Sequence, residues 1–397
     1  MIPVKLKYKI RINKAAEQLV IKEDVSFFKK AANNLFRHEI GGSTKEGKYP
    51  WSPYRAIAPA SNWLIHVWNW DSAFHMMGII RFDRRMASEQ AYAVFSTQRA
   101  DGMLCDAMRR TGEVIFEVTK PPVFGMAIKH CSKISEDMEL IEEIYPKLIK
   151  NIEWWSKDRY DGILYNYDGN PADSGWDDTV RYDDCKNMKN IYAIDLNCYM
   201  VSSFDGLAYM ADKLSKSDEA AEWRRKKTEL IDKIQKILWD YEKNRYCDFD
   251  KSINAFTNRI SPASFMPLFY MIATNEQAEH MKKLAEDTAY FYPFIPTIAY
   301  NDRAYNPVGY WRGRDWINTA YFVIKGIYNY GYSDLALDLI NIQVNNMKKQ
   351  GINEGYNGTT GKAVGWKHYG WTCTFAMEMM ILKKQILTKE KKDITIN

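Results

Sequence analysis

The chain has 397 residues, of which 46% are hydrophobic and 26% are charged, and its formal net charge at pH 7 is +5. These fractions are ordinary for a globular protein, and the scattered basic residues do not form the footprint of a nucleic-acid-binding protein. No run of about 18 apolar residues occurs, so we expect no membrane-spanning helix.

Aromatic residues are plentiful, with 13 Trp and 26 Tyr, and many stand beside Gly, Asn or Asp, as in a polar cleft. The N-terminal residues lack the apolar core of a secretion signal. The six cysteines form no CxxC pair, and the six histidines form no HExxH motif. We therefore predict a cytoplasmic protein with free thiols, no metal and no cofactor.

Few segments of the chain have the pattern of strands. The main ones lie near Val4–Ile12 and Val114–Val118. Helical patterns follow them. Pro122 precedes an apolar stretch, and Pro146 fits the first turn of a helix, where a missing N–H removes no intrahelical hydrogen bond.

The later helices are of two kinds. Those that begin near Ser217 and Ser333 carry one apolar stripe on an otherwise polar surface. Residues 196–210, 316–328 and 371–382 are instead apolar on nearly every side, and such helices must be buried all round. This mixture indicates an inner layer of helices surrounded by an outer layer, as in a toroid of helical hairpins.

No linker rich in Pro, Gly or Ser divides the chain, so we predict a single domain over residues 1–397. Within it, residues 1–60 are expected to form an N-terminal extension or lid, and residues 383–397 a solvated tail.

In a toroid, the loops that join inner to outer helices gather at one end. The loops concerned are Trp68–Phe74, Gln98–Asp106, Pro171–Asp183, Ile298–Trp316 and Asn353–Trp371.

Two of these loops carry carboxylates beside aromatic rings. Asp177 lies in Asp173–Thr179, which holds three carboxylates, and Glu354 precedes a Gly-Tyr-Asn-Gly turn. Neighbouring acids and a Trp raise the pKa of a carboxyl group, as a general acid requires. Two carboxylates and flat rings suit the hydrolysis of a sugar acetal. The alternatives are a solvated acidic turn for the first loop and a surface glutamate for the second.

Two further clusters have two interpretations each. In Trp311–Trp316, Arg312 and Trp311 can clamp a hydroxylated ring, or an arginine can form an interior ion pair with Asp315. Asp71 can bind sugar hydroxyls or cap a helix. The sequence leaves both choices open.

Six short segments of the sequence, here called islands, resemble in their order the bacterial α-glycosidases of glycoside hydrolase family 63. The resemblance is strongest to the mannosylglycerate and glucosylglycerate hydrolase group. The resemblance implies an all-α (α/α)6 barrel with a few short strands, inversion at the anomeric carbon, Asp177 as general acid and Glu354 as general base. The sequence departs from the family pattern at Asp173, Asp178, Val180 and Arg314-Asp315. The islands are Trp68–His75, Thr119–Val123, Asp173–Asp178, Tyr310–Asn318, Asn353–Asn357 and Gly370–Thr372.

We therefore predict an exo-acting, inverting α-glycosidase that removes a terminal glucose or mannose from a small glycoside or oligosaccharide. Inversion requires the two carboxyl groups to lie roughly 6.5–9.5 Å apart. The alternatives are a sugar epimerase or isomerase, which usually needs a pair of histidines, and a non-catalytic carbohydrate-binding protein. The oligomeric state stays open. The predicted substrate-binding residues are Trp70, Asp71, Gln98, Gly175, Trp176, Tyr310, Trp311, Arg312, Trp316, His368 and Trp371.

Overall fold

The computed structural model describes residues 4–41, 53–61 and 64–395. Helices dominate this part of the chain. They are α1 Val4–Leu19, α2 Val25–Leu35, α3 Asn69–Ile79, α4 Arg84–Phe95, α5 Phe124–Ile134, α6 Met138–Asp158, α7 Ile194–Lys213, α8 Ser217–Ile237, α9 Met266–Phe269, α10 Asn275–Glu286, α11 Ile317–Asn329, α12 Ser333–Gln350 and α13 Gly370–Thr395.

Within the described residues, the helices form two concentric rings. The inner ring consists of α3, α5, α7, α9, α11 and α13, in which each helix packs on the next and α13 packs back on α3. The outer ring consists of α2, α4, α6, α8, α10 and α12, each packed against an inner helix. The predicted (α/α)6 toroid is therefore confirmed.

Burial follows the two predicted kinds of helix. Every residue of α3 is buried, and so are nearly all residues of α7 and α11. The outer helix α8 buries only Ala220, Trp223, Leu230 and Ile234, which recur at spacings of three, four and seven. These three inner helices touch neighbours on most sides, whereas α8 keeps one face in water.

Two sequence predictions are wrong. The segment Val4–Ile12 is not a strand but the first half of α1, which packs on α2 and buries Ile12 and Ala16, four residues apart. Pro146 lies in the interior of α6 and not in its first turn. The true cap of α6 is Asp137, whose side chain accepts a hydrogen bond from a backbone N–H of the first turn.

Helices near both ends of the described chain contact the rest of the toroid. Helix α2 is a member of the outer ring, while residues 42–52 of the predicted lid lie outside the described residues. The segment from residue 383 onward, expected to be a solvated tail, continues α13. Its Lys383 and Ile386 side chains are buried, and Lys383 Nζ lies 2.9 Å from Glu23 Oε1 and 3.4 Å from Asp24 Oδ2.

Short antiparallel strands decorate the helices, and the strand predicted near Val114–Val118 is confirmed as β5. The two-stranded pairs are β1 with β2, β7 with β8, and β11 with β12, while β4 pairs with both β3 and β5, and β9 with both β6 and β10. No helix of the described residues combines the length and hydropathy needed to cross a bilayer. The strands are β1 Glu39–Gly41, β2 Arg55–Ile57, β3 Val67–Trp68, β4 Ala107–Met108, β5 Val114–Ile115, β6 Ile191–Tyr192, β7 Trp239–Asp240, β8 Arg245–Tyr246, β9 Phe249–Asp250, β10 Ala255–Phe256, β11 Asn353–Tyr356 and β12 Ala363–Lys367.

Candidate active site

A pocket lies at the end of the toroid where the inner helices begin. Most of its walls come from the first residues of α3 and α13 and from the connecting segments that precede α3, α5, α7, α11 and α13. Loops that are far apart in sequence therefore meet there, as the toroid predicts. The lining residues are Pro59, Leu64, Trp68, Trp70, Asp71, Lys120, Gly175, Asp177, Tyr310, Trp311, Tyr369 and Trp371.

The turn that carries Asp177 is shaped by a short 3-10 helix. This helix spans Pro171–Ser174, is capped by the Asn170 side chain and ends at Gly175, whose φ is +77°. A Cβ at Gly175 would stand 2.5 Å from the Trp70 ring. Glycine is therefore required both by the left-handed backbone and by the ring packed against it, and the chain then turns so that Asp177 reaches the pocket.

Asp177 is the more open of the two predicted catalytic carboxyls, with 45% of its side chain exposed. Its Oδ1 lies 3.5 Å from Lys120 Nζ. Partial burial raises the pKa of Asp177; the Lys120 ammonium opposes this effect and the charge of Asp178 adds to it. Asp178 itself accepts a 2.6 Å hydrogen bond from Trp311 N, so it ties this turn to the loop before α11.

A buried ionic cluster supports the turn from below. Arg181, fully buried, donates two hydrogen bonds to Asp195 at 2.8 and 2.9 Å and two to Asp248 at 2.8 and 2.9 Å. Its guanidinium carbon lies 5.2 Å from the centre of the Trp176 ring. Removing Arg181 would leave two buried carboxylates without a compensating charge. The cluster therefore fixes the position of the Asp177 turn relative to α7.

Glu354 occupies a contrasting environment on strand β11, with only 5% of the residue exposed. Its Oε1 accepts a 3.4 Å hydrogen bond from Tyr310 Oη, and its Oε2 accepts one of 3.2 Å from Trp366 N. Burial raises the pKa of Glu354, the Trp366 N–H opposes this, and the charge of Asp177 adds to it. A Cβ at Gly365 would stand 2.0 Å from Glu354 Oε2, so the carboxylate needs glycine there.

Asp315 holds strand β11 in place and does not form the arginine ion pair that the sequence offered as an alternative. Its backbone N–H and C=O exchange 2.9 Å hydrogen bonds with Tyr356. Its Oδ2 accepts a 2.7 Å hydrogen bond from Gln343, and burial raises the pKa of Asp315 to about 7. Arg312 pairs instead with Asp183, at 2.5 Å between Nη2 and Oδ2.

Three buried polar atoms on lining residues have no hydrogen-bond partner within the described part of the chain. They are Asp71 Oδ1, Trp311 Nε1 and Trp371 Nε1. Burial raises the pKa of Asp71 to about 8. Buried polar groups are nearly always hydrogen-bonded in folded proteins, so a carboxyl oxygen and two indole donors on the lining residues of one pocket call for a polar ligand or water. Of the two interpretations of Asp71, this geometry favours a binding role.

The tryptophans form a wall of stacked and tilted rings. Trp311 lies between Trp176, at 5.4 Å and 14°, and Trp316, at 4.2 Å and 1°. Both of its faces are therefore covered by indoles, which leaves its edge to a ligand. Trp70 and Trp371 meet edge to face at 5.5 Å on the same wall. Trp176 and Trp316 lie behind the lining and support it.

The structure brings together most of the predicted site residues. Glu354 is linked to the lining through Tyr310. Gln98 lies elsewhere and donates 3.1 and 2.8 Å hydrogen bonds to Gly102 O and Lys147 O. His368 and Arg312 are also outside the lining. The predicted residues that line the pocket are Trp70, Asp71, Gly175, Asp177, Tyr310, Trp311 and Trp371.

Sequence reasoning missed five lining residues. Trp68 and Lys120 stood inside motifs that carried the family resemblance, and Tyr369 stands two residues before Trp371, so a signal existed for these three. Pro59 and Leu64 carry no chemical signal and reach the pocket only through the fold. Among the described residues, no group of three or more His, Cys, Asp or Glu side chains could hold a metal ion.

A toroid of helical hairpins with carboxylates and tryptophans at the mouth of its inner ring defines the class of α/α-barrel glycoside hydrolases. Residues 65–372 match the family described as the mannosylglycerate hydrolase MGH1-like glycoside hydrolase domain, and the chain belongs to this family. The predicted glycoside hydrolase and the resemblance to family 63 are thereby confirmed.

Two curated relatives illustrate the similarity. Mannosylglycerate hydrolase MGH1 of Selaginella moellendorffii is 21% identical over 401 residues, covering 80% of this chain and 81% of that protein. Mannosylglycerate hydrolase of Rubrobacter radiotolerans is 26% identical over 221 residues, covering 53% of this chain and 48% of that protein.

Solved structures share the fold. The family 63 mannosylglycerate hydrolase of Thermus thermophilus, in complex with glucose, superposes with a TM-score of 0.75 at 22% identity, covering 88% of this chain and 98% of that one. Neutral trehalase Nth1 of Saccharomyces cerevisiae superposes with a TM-score of 0.70 at 17% identity, covering 83% and 74%.

Proposed function

We propose that this chain is an exo-acting, inverting α-glycosidase that releases a terminal α-linked glucose or mannose from a small glycoside. The observation that carries the proposal is the set of three unpartnered buried polar atoms, on Asp71, Trp311 and Trp371, in the pocket that Asp177 lines. Hydroxyl groups of a hexose can satisfy both the acceptor and the two indole donors. The names of the relatives make mannosylglycerate the first substrate to test, and the family resemblance of the sequence adds glucosylglycerate.

In the proposed reaction, Asp177 transfers its proton to the glycosidic oxygen while the bond from that oxygen to the anomeric carbon breaks. Glu354 removes a proton from a water molecule as the water oxygen bonds to the opposite face of the same carbon. The products are a β-configured free sugar and the released alcohol. Solvent then returns a proton to Asp177 and takes one from Glu354. The exposure of Asp177 and the two hydrogen bonds donated to Glu354 support these assignments.

Proton NMR of the first-formed sugar tests the proposal. Purified protein is incubated with α-mannosylglycerate, α-glucosylglycerate and nitrophenyl α-glycosides, and the anomeric signals are followed before mutarotation. We expect the β-anomer to appear first. Initial release of the α-anomer would contradict inversion, and absence of any hydrolysis across the panel would contradict the glycosidase assignment.

An epimerase is disfavoured by the placement of the histidines. His75 is fully buried, and burial lowers its pKa to about 3, while His368 does not line the pocket. A base that must exchange a proton near neutral pH is poorly served by either. A non-catalytic binding protein would not require two carboxyls coupled across the pocket. We also propose a cytoplasmic location, which cell fractionation would test; one similar protein is named a periplasmic trehalase.

A further inference from the structure

Within the described part of the chain, Lys120 is the residue of the pocket wall that places a buried ammonium group beside the proposed general acid. Only 7% of the residue is exposed. Its Nζ donates a 2.6 Å hydrogen bond to Ala172 O and lies 3.4 Å from Asp106 Oδ1 and 3.5 Å from Asp177 Oδ1. Lysine is almost never buried unless it is paired, and here a single ammonium is shared between two carboxylates.

The backbone around Lys120 is held firmly, so the position of its ammonium is defined. Thr119 N donates a 3.1 Å hydrogen bond to Asp173 Oδ1, and Thr119 Oγ1 donates one of the same length to Leu104 O. Two prolines follow Lys120 and restrict the backbone further. The side chain therefore extends from a fixed point to the turn that carries Asp177.

The charged groups around this ammonium are mostly acidic. Burial by itself lowers the pKa of Lys120, but Asp106 and Asp177 raise it above the ordinary value, so the side chain stays cationic. Burial raises the pKa of Asp106, and Lys120 opposes that effect, as it does at Asp177. The titratable groups that face Lys120 or Asp177 from the surrounding elements are Asp71, Asp106, Asp173, Asp178, Tyr310, Glu354 and Tyr369.

We propose that Lys120 is a positioning residue for Asp177, shared with Asp106, which holds Oδ1 of the acid and stabilises the negative charge that develops when the proton leaves. The inference rests on the proposed role of Asp177 as general acid. An ammonium that contacts Oδ1 favours negative charge there and leaves Oδ2 to carry the proton to the glycosidic oxygen. Because Lys120 interacts more strongly with the ionised carboxylate than with the neutral acid, its effect is greatest in the transition state.

The test compares pH profiles of Lys120→Met and wild type on a glycoside with a poor leaving group and on a nitrophenyl glycoside. Without the ammonium, Asp177 should hold its proton to higher pH, so the basic limb of kcat/KM should move up by about 1 pH unit. At the optimum, kcat should fall about 10-fold or more on the poor leaving group, and less on the nitrophenyl glycoside. Lys120→Arg should restore the basic limb.

For a second variant, Asp106→Asn, we expect the basic limb of the pH profile to shift in the opposite direction. Asp106→Asn removes the carboxylate that competes for Lys120, so the ammonium acts on Asp177 alone and the basic limb should move to lower pH. Lys129→Met removes an ion pair with Asp205 that joins α5 to α7, and neither residue lines the pocket, so this variant should leave the limb unchanged. A positioning role is overturned if folded Lys120→Met keeps the wild-type profile, or if Asp106→Asn shifts the limb upward.

A readout independent of turnover separates this inference from the proposed function. Carbon NMR titration of the labelled Asp177 carboxyl group should give a lower pKa in wild type than in Lys120→Met, and lower still in Asp106→Asn. If wild type hydrolyses no α-glycoside but the titration shows this order, the proposed function fails and the contact stands. If wild type is active and the three pKa values coincide, the proposed role of Lys120 fails alone. Should Lys120→Met not fold, Asp106→Asn decides the question by the same titration.

Discussion

The two proposed catalytic carboxyls are supported in different ways. Asp177 lies on a turn held by side-chain contacts, with Lys120 beside it and the Arg181 cluster below. Glu354 lies on a strand held by backbone pairing, with Tyr356 two residues along bonded to Asp315 through both main-chain groups. Side-chain substitutions around the pocket should therefore disturb the acid more readily than the base.

The difference also matches the two chemical roles. A general acid must regain its proton from solvent, and 45% of the Asp177 side chain is exposed. A general base must stay ionised and oriented, and Glu354 is almost fully buried while Tyr310 and Trp366 donate hydrogen bonds to its two oxygens. Hydrogen bonds donated to a carboxylate favour its ionised form, so they counteract the effect of burial on Glu354.

Glu354→Gln should produce the largest loss, because no other group is proposed to activate water. We expect kcat to fall by about 10⁴-fold on glycerate and nitrophenyl glycosides alike, the upper end for general base catalysis. Steady-state kinetics on both substrates measure it. Glu113→Gln, which removes an exposed pair with Arg109, is the control and should keep full activity. Residual turnover above a few per cent in folded Glu354→Gln would show that the base lies elsewhere.

Asp177→Asn should be next in size, and its effect should depend on the leaving group. Loss of the proton donor should lower kcat by about 10²–10³-fold on a glycerate glycoside but much less on a nitrophenyl glycoside, whose leaving group needs little protonation. Asp178→Asn is the matched control, because an amide oxygen can still accept the hydrogen bond from Trp311 N. Equal losses on both substrates would contradict the role of Asp177 as acid.

These two side chains illustrate what sequence alone could provide. Both lie in short segments with a local sequence signature, and the helices that flank those segments can be predicted from apolar periodicity. The contact between Asp177 and Lys120 could not be predicted from the sequence. The two residues are 57 positions apart and meet only because α5 and α7 are neighbours in the inner ring. Long-range packing, and not local sequence, therefore determines that Lys120 is the partner of Asp177.

The errors have equally specific causes. Gln98 stands in a predicted cleft loop, but its amide caps backbone carbonyls of the adjacent turn and of α6. The strand predicted near Val4–Ile12 is wrong because this segment is the first half of α1, which packs on α2 and buries Ile12 and Ala16. Pro146 marked a helix correctly but not its beginning, since Asp137 supplies the cap.

Two glycine substitutions compare the two sides of the pocket directly. Gly365→Ala places a Cβ 2.0 Å from Glu354 Oε2, and Gly175→Ala places one 2.5 Å from the Trp70 ring beside the acid. We expect kcat to fall about 10²-fold in the first, because a displaced catalytic group costs about that much, and less in the second. Gly331→Ala shares the positive φ, at +89°, but its Cβ would meet nothing within 4 Å.

The control isolates backbone strain from displacement of the carboxylate. An alanine in left-handed conformation costs roughly 1–2 kcal/mol of stability at any of the three sites. All three variants should therefore lose thermal stability, the two pocket variants more than Gly331→Ala because their Cβ atoms also overlap neighbours, and only the two pocket variants should lose activity. If Gly331→Ala loses as much kcat as Gly365→Ala, the effect comes from strain and not from the position of Glu354.

The smallest expected effect is that of Trp311→Phe, which keeps an aromatic ring between Trp176 and Trp316 but removes the unpartnered Nε1–H. If that donor binds a sugar hydroxyl, losing it costs about 0.5–1.5 kcal/mol, so KM should rise about 2–12-fold with kcat little changed. Trp223→Phe is the control, since it removes a comparable hydrogen bond, 3.2 Å to Tyr145 Oη, on the outer helix α8. Because both faces of Trp311 are covered, an unchanged KM would show that the ring only supports the wall, and a fall in kcat without a change in KM would place its contact in the transition state.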